Sequence, residues 1–264
     1  MELQIPLPPG MSLPTALSCE EYEQFRCDAM NAEEGVLPGK RCDICRNKGL
    51  VYYCKGSEIL CRPCGCMTER EGLERIRKSG LSETLELYTF ASFEAAEEWQ
   101  KKMKREAMEY AENPDGWLLV CGQVGAGKTH LCTAVVGALM KTGRSARYML
   151  WRDDVVKLKA CVNDEAAYNR LMRPLKEVDV LYIDDFFKTA SGVRPTQGDI
   201  NVAFELINSR YCRKDAITVL SCELTISELL GVDEATCSRI YQRTKGHSIE
   251  IQRDRERNYR LKKG

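Results

Sequence analysis

The chain has 264 residues, enough for one large domain or for a core domain carrying a small module. Apolar residues make up 44% and charged residues 30%, which is globular composition and excludes a wholly disordered chain. Thirty-nine Lys and Arg balance thirty-nine Asp and Glu, so net charge attracts neither nucleic acid nor acidic membrane, and such binding needs a local patch.

Residues 1–17 are Pro-rich and read as poorly ordered. Their start lacks basic residues and is broken by Pro6, Pro8 and Pro9, so it does not read as a secretory signal. The longest apolar run with helical character, Leu131 to Met140, is too short to span a bilayer. A cytoplasmic protein with no membrane partner is expected. Ser18 to Glu34 reads as a short acidic helix, with Ser18 as N-cap and Glu21 three residues on; Gly35 and Pro38-Gly39 end it. The first forty residues carry seven acids against Arg26 and Lys40, so this end should avoid DNA and suits a protein partner.

Four parts are expected: a flexible N-terminus with the acidic helix (1–39), a cysteine-rich module (40–68), a charged helical linker (69–91) and the main domain (92–264). The connector Thr68 to Leu87 is interrupted near Gly80. Ser92 to Ala111 reads as an amphipathic helix, because Phe93, Ala96, Trp99, Met103, Ala107 and Tyr110 recur at three- and four-residue spacing. Asn113-Pro114-Asp115-Gly116 stops it. Short apolar runs then alternate with helical stretches: Trp117–Cys121, Ala146–Leu150, Val178–Ile183, Ala216–Ser221 and His247–Ile251. That alternation predicts an α/β fold with a parallel sheet between helical layers.

Gly122-Gln123-Val124-Gly125-Ala126-Gly127-Lys128-Thr129 matches the phosphate-loop pattern (Walker A) at every required position. Its glycines let successive backbone N–H groups turn toward phosphate oxygens. Lys128 would carry charge to the β- and γ-phosphates, the Thr129 hydroxyl would hold Mg²⁺, and the helix from His130 would aim its positive end at the same anion. Val180-Leu-Tyr-Ile-Asp184-Asp185, an apolar strand ending in two acids, is the expected Walker B partner. Asp184 would position Mg²⁺ and Asp185 would polarise the attacking water.

Of fourteen cysteines, Cys42, Cys45, Cys54, Cys61, Cys64 and Cys66 fall within 25 residues. The others (Cys19, Cys27, Cys121, Cys132, Cys161, Cys212, Cys222 and Cys237) read as small buried hydrophobes. Cys42-x-x-Cys45 and Cys61-x-x-Cys64-x-Cys66 offer five thiolates where structural Zn²⁺ takes four. Spacing alone favours Cys61 with Cys64. A segment this short has little core, so it is expected to need its metal.

The phosphate loop, the Leu-Tyr-Ile-Asp-Asp strand and the tail Cys237-Ser-Arg239-Ile … Asn258-Tyr-Arg260 resemble the DnaC/IstB-like AAA+ P-loop ATPases, helicase loaders and transposition helpers, over roughly residues 86–263. The front end, with paired cysteines ahead of Cys64-Gly-Cys66-Met67, is similar to the family's phage and prophage helicase-loader branch. The resemblance implies the three-layer AAA+ fold preceded by a zinc module. It implies Cys42, Cys45, Cys64 and Cys66 as ligands, with Cys61 a spare. It also implies ATP with Mg²⁺ as nucleotide cofactor, and Arg239 as an arginine finger reaching a neighbouring subunit. Arg260 matches the second sensor arginine, which reads the nucleotide of its own subunit. Leu87 to Phe93 lies where the family frames adenine, and Phe90 and Phe93 can equally be core.

Two positions depart from the family pattern. Asp185 stands where most members have Glu, and Glu223 stands at the first sensor position, usually Asn. A carboxylate there repels the γ-phosphate unless Mg²⁺ or an arginine intervenes. A slow, partner-regulated ATPase is therefore expected, turning over no faster than ~1 s⁻¹ alone, at the bottom of the usual range. Arg239 to Lys263 holds nine Lys and Arg against three acids, and Lys101-Lys102-x-Lys104-Arg105 forms a second basic run. Both are candidate single-stranded DNA contacts. The leading expectation is a DNA-replication helicase loader. It would bind a hexameric replicative DNA helicase through its N-terminal module, single-stranded DNA through its ATPase domain, and itself through its ATP sites. An IstB-like transposition helper and a non-hydrolysing nucleotide-binding adaptor are the alternatives.

Overall fold

The computed structural model describes residues 18–37, 41–56, 58–67, 81–190 and 193–262. The chain divides between Glu71 and Gly72 into two compact units. The Pro-rich start, the Pro38-Gly39 stop, the connector as far as Gly80, and Lys263 lie outside the described residues.

In the first unit, helix α1 (Cys19–Ala32) begins at the expected capping box. Glu21 N donates to Ser18 Oγ at 3.3 Å, and Ser18 N donates to Glu21 Oε2 at 2.8 Å. The helix stops two residues before the expected Glu34. The chain beyond it pairs elsewhere: Gly35 N donates to Arg46 O at 2.6 Å and Leu37 N to Asn47 O at 3.0 Å. Strands β1 (Leu50–Lys55) and β2 (Glu58–Pro63) form an antiparallel hairpin. The Asn31 amide completes the outer edge of β1 as another strand would. Its Nδ2 donates to Tyr52 O at 2.8 Å, and its Oδ1 accepts from Tyr52 N at 2.9 Å.

The second unit opens with α2 (Ser82–Leu87). Helix α3 (Glu98–Glu112) follows and corrects the expected helix from Ser92. Thr89 and Ser92 lock a turn, each backbone N–H donating to the other's hydroxyl at 3.0 and 3.1 Å. The helix starts only after Glu97, which forms a capping box with Gln100. Trp99, Met103, Ala107 and Tyr110 keep their helical spacing, while Phe93 and Ala96 precede the helix.

Five parallel strands follow in alternation with helices. These are β3 (Leu118–Gly122), β4 (Ala146–Leu150), β5 (Val180–Asp184), β6 (Ile217–Cys222) and β7 (Ser248–Ile251), in sheet order β4-β5-β6-β3-β7. The intervening helices are α4 (Lys128–Lys141), α5 (Trp151–Ala160), α6 (Glu165–Glu177), α7 (Gln197–Tyr211), α8 (Ile226–Leu230) and α9 (Glu234–Arg243); a 3₁₀ turn (Arg255–Arg257) and α10 (Tyr259–Lys262) end the unit. Successive strand residues point to opposite faces. Leu119, Leu181 and Ile183 pack beneath α5, α6, α7 and α9. Leu118, Val120, Val180 and Tyr182 pack beneath α3 and α4, with Leu81 and Phe93 in the same cluster. The result is the expected three-layer α/β/α arrangement, with the carboxyl ends of β3, β5 and β6 converging on one edge.

Arg210 of α7 is fully buried. Its guanidinium donates to Thr218 Oγ1 at 2.9 Å and to the carbonyls of Leu175, Val178 and Ile217 at 3.0, 2.9 and 2.6 Å. Burial pulls its pKa down to about 9. The side chain ties the end of α6 to β5 and β6. Arg210→Met leaves several buried carbonyls unpaired, each costing about 1–3 kcal/mol. Thermal unfolding should show a midpoint at least ~6 °C lower, on a scale of about 2–4 °C per kcal/mol. A shift under ~2 °C would show that those carbonyls find other partners.

Candidate functional site

The loop between β3 and α4 keeps glycine where nothing larger fits. Gly125 (φ 73°) lies so close to the Asn258 side chain that a Cβ would collide with it. Gly127 (φ 86°) is the left-handed N-cap of α4, and the Phe93 ring lies 2.8 Å from where its Cβ would stand. The N-terminal N–H groups of α4 face the loop, an arrangement suited to phosphate. Lys128 is buried, and its Nζ donates to Gly122 O at 3.0 Å and Gln123 O at 2.7 Å. Burial lowers its pKa, and Glu223 and Asp185 pull the other way.

Asp184 closes β5 and is buried. It accepts hydrogen bonds from Thr129 Oγ1 at 3.2 Å, Tyr182 Oη at 2.8 Å, Tyr148 Oη at 3.1 Å, and Ser221 Oγ. Tyr148 and Tyr182 face each other across the β4–β5 register. Burial and the Asp184 charge both raise the Tyr148 pKa, which keeps that hydroxyl a donor. The adjoining Thr129 and Asp184 oxygens form a hard donor set of the kind Mg²⁺ takes.

Asp185 begins a strained turn: it and Phe187 adopt φ of 54° and 57°. Left-handed backbone costs a non-glycine residue about 1–2 kcal/mol, least for Asp and Asn. The turn is held on Ser221, whose Oγ accepts from Asp185 N at 3.0 Å and whose carbonyl accepts from Phe186 N at 2.8 Å. The turn delivers Lys188, whose Nζ lies 2.9 Å from Asp185 Oδ2 and 2.8 Å from Glu223 Oε1. A lysine of the same chain thus supplies a cation beside Glu223.

Lys128, Thr129, Asp185, Lys188, Glu223 and Arg260 line a cleft of about 330 Å³. Its far end is aromatic. His130 stacks on Tyr88 at 4.8 Å, meets the edge of Phe93 at 5.1 Å, and places Nε2 2.9 Å from Thr89 O. Phe93 is both core and cleft wall, and Phe90 packs against the core. Tyr259 N donates to Gly125 O at 3.0 Å and the Tyr259 hydroxyl bonds Glu94, which seats the tail beside the loop and Arg260 at the cleft.

Arg239 does not line its own chain's cleft. It lies over Phe204 at 5.1 Å and Tyr211 at 5.9 Å, and donates to Ala235 O at 2.5 Å. The basic runs are partly committed. Lys101, Lys102 and Arg105 pair with Glu98, Glu106 and Glu109 at 2.7, 3.7 and 3.9 Å, and Lys104 donates to Phe93 O. In the tail, Arg253 pairs with Glu228 and Arg257 with Asp254, while Arg243 donates to Lys214 O and lies over Trp117. Lys245, Arg255 and Arg260 are exposed.

In the first unit, Cys42, Cys45, Cys64 and Cys66 place their sulfurs within 4.8 Å of one another. A tetrahedral ion with Zn–S bonds of about 2.3 Å separates sulfurs by about 3.8 Å. Cys42–Cys64 at 3.8 Å and Cys45–Cys66 at 3.5 Å match that spacing. Burial pushes the Cys45 pKa up, but the Gly49 N–H and neighbouring thiols outweigh it and bring the thiol down to about 6, favouring thiolate. The donor set therefore fits zinc. Cys61 is exposed and outside the cluster, which corrects the choice made from spacing. In a hairpin, Cys61 sits opposite Tyr52 on β2, while Cys64 leaves the strand toward the Cys42 turn. Cys54 instead meets Cys27 of α1, sulfur to sulfur at 2.9 Å. Cys121, Cys132, Cys222 and Cys237 are buried as expected, whereas Cys212 is exposed and Cys161 half-buried.

Sequence reasoning passed over Lys188, Tyr148 and Tyr182. Tyr182 lies two residues before Asp184, so strand periodicity places both on one face and could have found it. Tyr148 needs the β4–β5 register, and Lys188 needs the strained turn.

A family model described as IstB-like ATP binding protein matches residues 67–264. Phage-like element PBSX protein XkdC of Bacillus subtilis (strain 168) is 30% identical over 221 residues, covering 80% of this chain and 82% of that protein. YqaM of the same strain is 29% identical over 258 residues, covering 92% of this chain and 78% of that protein. The crystal structure of the DnaC helicase loader shares the fold at TM-score 0.55 and 17% identity, over 64% of this chain and 98% of that one.

Proposed function

This chain belongs to the IstB-like ATP-binding protein family, AAA+ ATPases of the DnaC/IstB kind, and from that premise we propose that it is a slow, ATP-hydrolysing helicase loader of DNA replication. The observation that carries the reading is the cleft itself, lined by the phosphate loop and Asp185, with Thr129 at its wall bonded to the buried Asp184. Lys128 exchanges its loop carbonyls for the β- and γ-phosphates. Thr129 and Asp184 would hold Mg²⁺, which would supply positive charge against the phosphates. Asp185 polarises a water whose oxygen attacks the γ-phosphorus. The bond to the β-phosphate oxygen breaks, ADP leaves with the electron pair, and the water proton passes to Asp185 and then to solvent. Arg260 reads the nucleotide from its own chain. Arg239 leaves Phe204 and completes the site of a neighbouring copy. The acidic α1 and the zinc module grip the hexameric helicase, and exposed Lys245, Arg255 and neighbouring cations contact single-stranded DNA. As a loader it would act in the cytoplasm, where the replicative helicase works; no described helix is long and apolar enough to cross a membrane.

The test is the native mass of the full chain mixed with its host's replicative helicase, with and without Mg-ATP. A defined complex is expected, and the nucleotide dependence shows whether ATP builds or dissolves it. No complex in either condition sinks the loader reading. The IstB-like family match would then favour a transposition helper, for which ATP-dependent binding to duplex DNA is the next assay.

A further inference from the structure

Glu223 and Asp185 place two carboxylates at the end of the cleft where the γ-phosphate of a bound ATP would lie. Two negative groups there disfavour a triphosphate unless a cation stands between them and it. Lys188 is that cation. Its ammonium touches both acids, at 2.9 and 2.8 Å, and itself lines the cleft. An ammonium has three N–H donors, of which these two contacts use two.

The placement is built in. Phe186 and Phe187 are buried and meet the Trp151 ring at 4.9 and 5.4 Å, so the two residues before Lys188 are anchored in the core. Lys188 N donates to Asp185 O at 2.9 Å, and Ser221 holds the turn's other side. The left-handed conformations at Asp185 and Phe187 persist because these contacts over-determine them. Burial disfavours the Lys188 charge, and the hydrogen bonds to Glu223 and Asp185 overcome that and raise its pKa.

We propose that Lys188 is the γ-phosphate-reading residue of this protein. Glu223 is its positioning partner, so that a Lys–Glu pair does the work of an amide sensor. The proposal rests on the ATP-site reading above. It explains why an acid is tolerated at position 223: the carboxylate holds the ammonium, and the ammonium's remaining donor faces the phosphate. Binding of the triphosphate draws Lys188 from Asp185 and leaves that carboxylate to a water.

The test uses the full chain and measures Mg²⁺-dependent binding of ADP and of the β,γ-methylene analogue of ATP. The proteins are wild type, Lys188→Met, Lys188→Arg and Lys188→Met/Glu223→Gln. Lys188→Met should weaken the triphosphate analogue about 10–100-fold, the usual range for a lost charge-assisted hydrogen bond. ADP should stay within ~3-fold, which also reports an intact fold. Lys188→Arg should keep the preference for triphosphate. Adding Glu223→Gln to Lys188→Met should recover part of the loss, because it removes the unpaired acid. Unchanged discrimination in Lys188→Met overturns the proposal. So does equal loss of both nucleotides in Lys188→Met and Lys188→Arg, which would make the lysine a support for the turn. Wild-type protein that binds neither nucleotide takes down the ATP-site reading, and the Lys188 proposal with it.

Discussion

Asp185→Asn should lower ATP turnover by about 10²–10⁴-fold, the usual contribution of a positioned general base. Binding of Mg-ATP should be kept or tightened, because Asp184 and Thr129, not Asp185, form the metal-suited pair and the change removes one carboxylate from the γ-phosphate end of the cleft. The substituted amide keeps the shape of the turn, and Asn tolerates the left-handed backbone there as well as Asp does. It loses the charge that polarises water and that pairs with Lys188. The measurement is phosphate release under single-turnover conditions, alongside retention of labelled ATP. Unchanged release would mean that Asp185 takes no part in the chemistry. No release from either protein, with ATP still bound, would favour an adaptor that uses nucleotide only for its structure.

Stripping zinc should unfold the first unit and leave the ATPase unit standing. Among the described side chains of the first unit only Cys27, Cys45 and Cys64 are buried, and two of those three belong to the cluster. So little apolar burial cannot offset chain entropy in a segment this short. A structural zinc site contributes about 10–16 kcal/mol in comparable modules. The full chain should carry one zinc, lost on Cys45→Ser and retained on Cys61→Ser. Limited proteolysis after chelation should clip within 41–67 and spare 81–262. An unchanged cleavage pattern after complete metal removal would show that the hairpin and α1 suffice without it.

Local signals carried much of this protein. A capping box, a phosphate loop and apolar runs of strand length each concern residues a few positions apart, so their physics is visible in the chain. Ser18 caps α1, all five strands formed within about two residues of their apolar runs, and the loop opened into α4. Spacing alone misjudged Cys61, because a strand carries Cys61 away from the turn where Cys64 and Cys66 meet Cys42 and Cys45. It also set the start of α3 too early, because Phe93 is buried from a turn and not from a helix face.

The sequence by itself determined the family and located the phosphate loop and the acids Asp184 and Asp185, since those reside in contiguous motifs. Only the tertiary structure decided what surrounds them. Tyr148 and Ser221 reach Asp184 from β4 and β6, and the Lys188 ammonium spans acids 38 positions apart in the chain. Such contacts depend on strand register and on two left-handed residues held by a buried aromatic cluster. No local pattern of residue types encodes them, because the energy that fixes them comes from packing between distant segments.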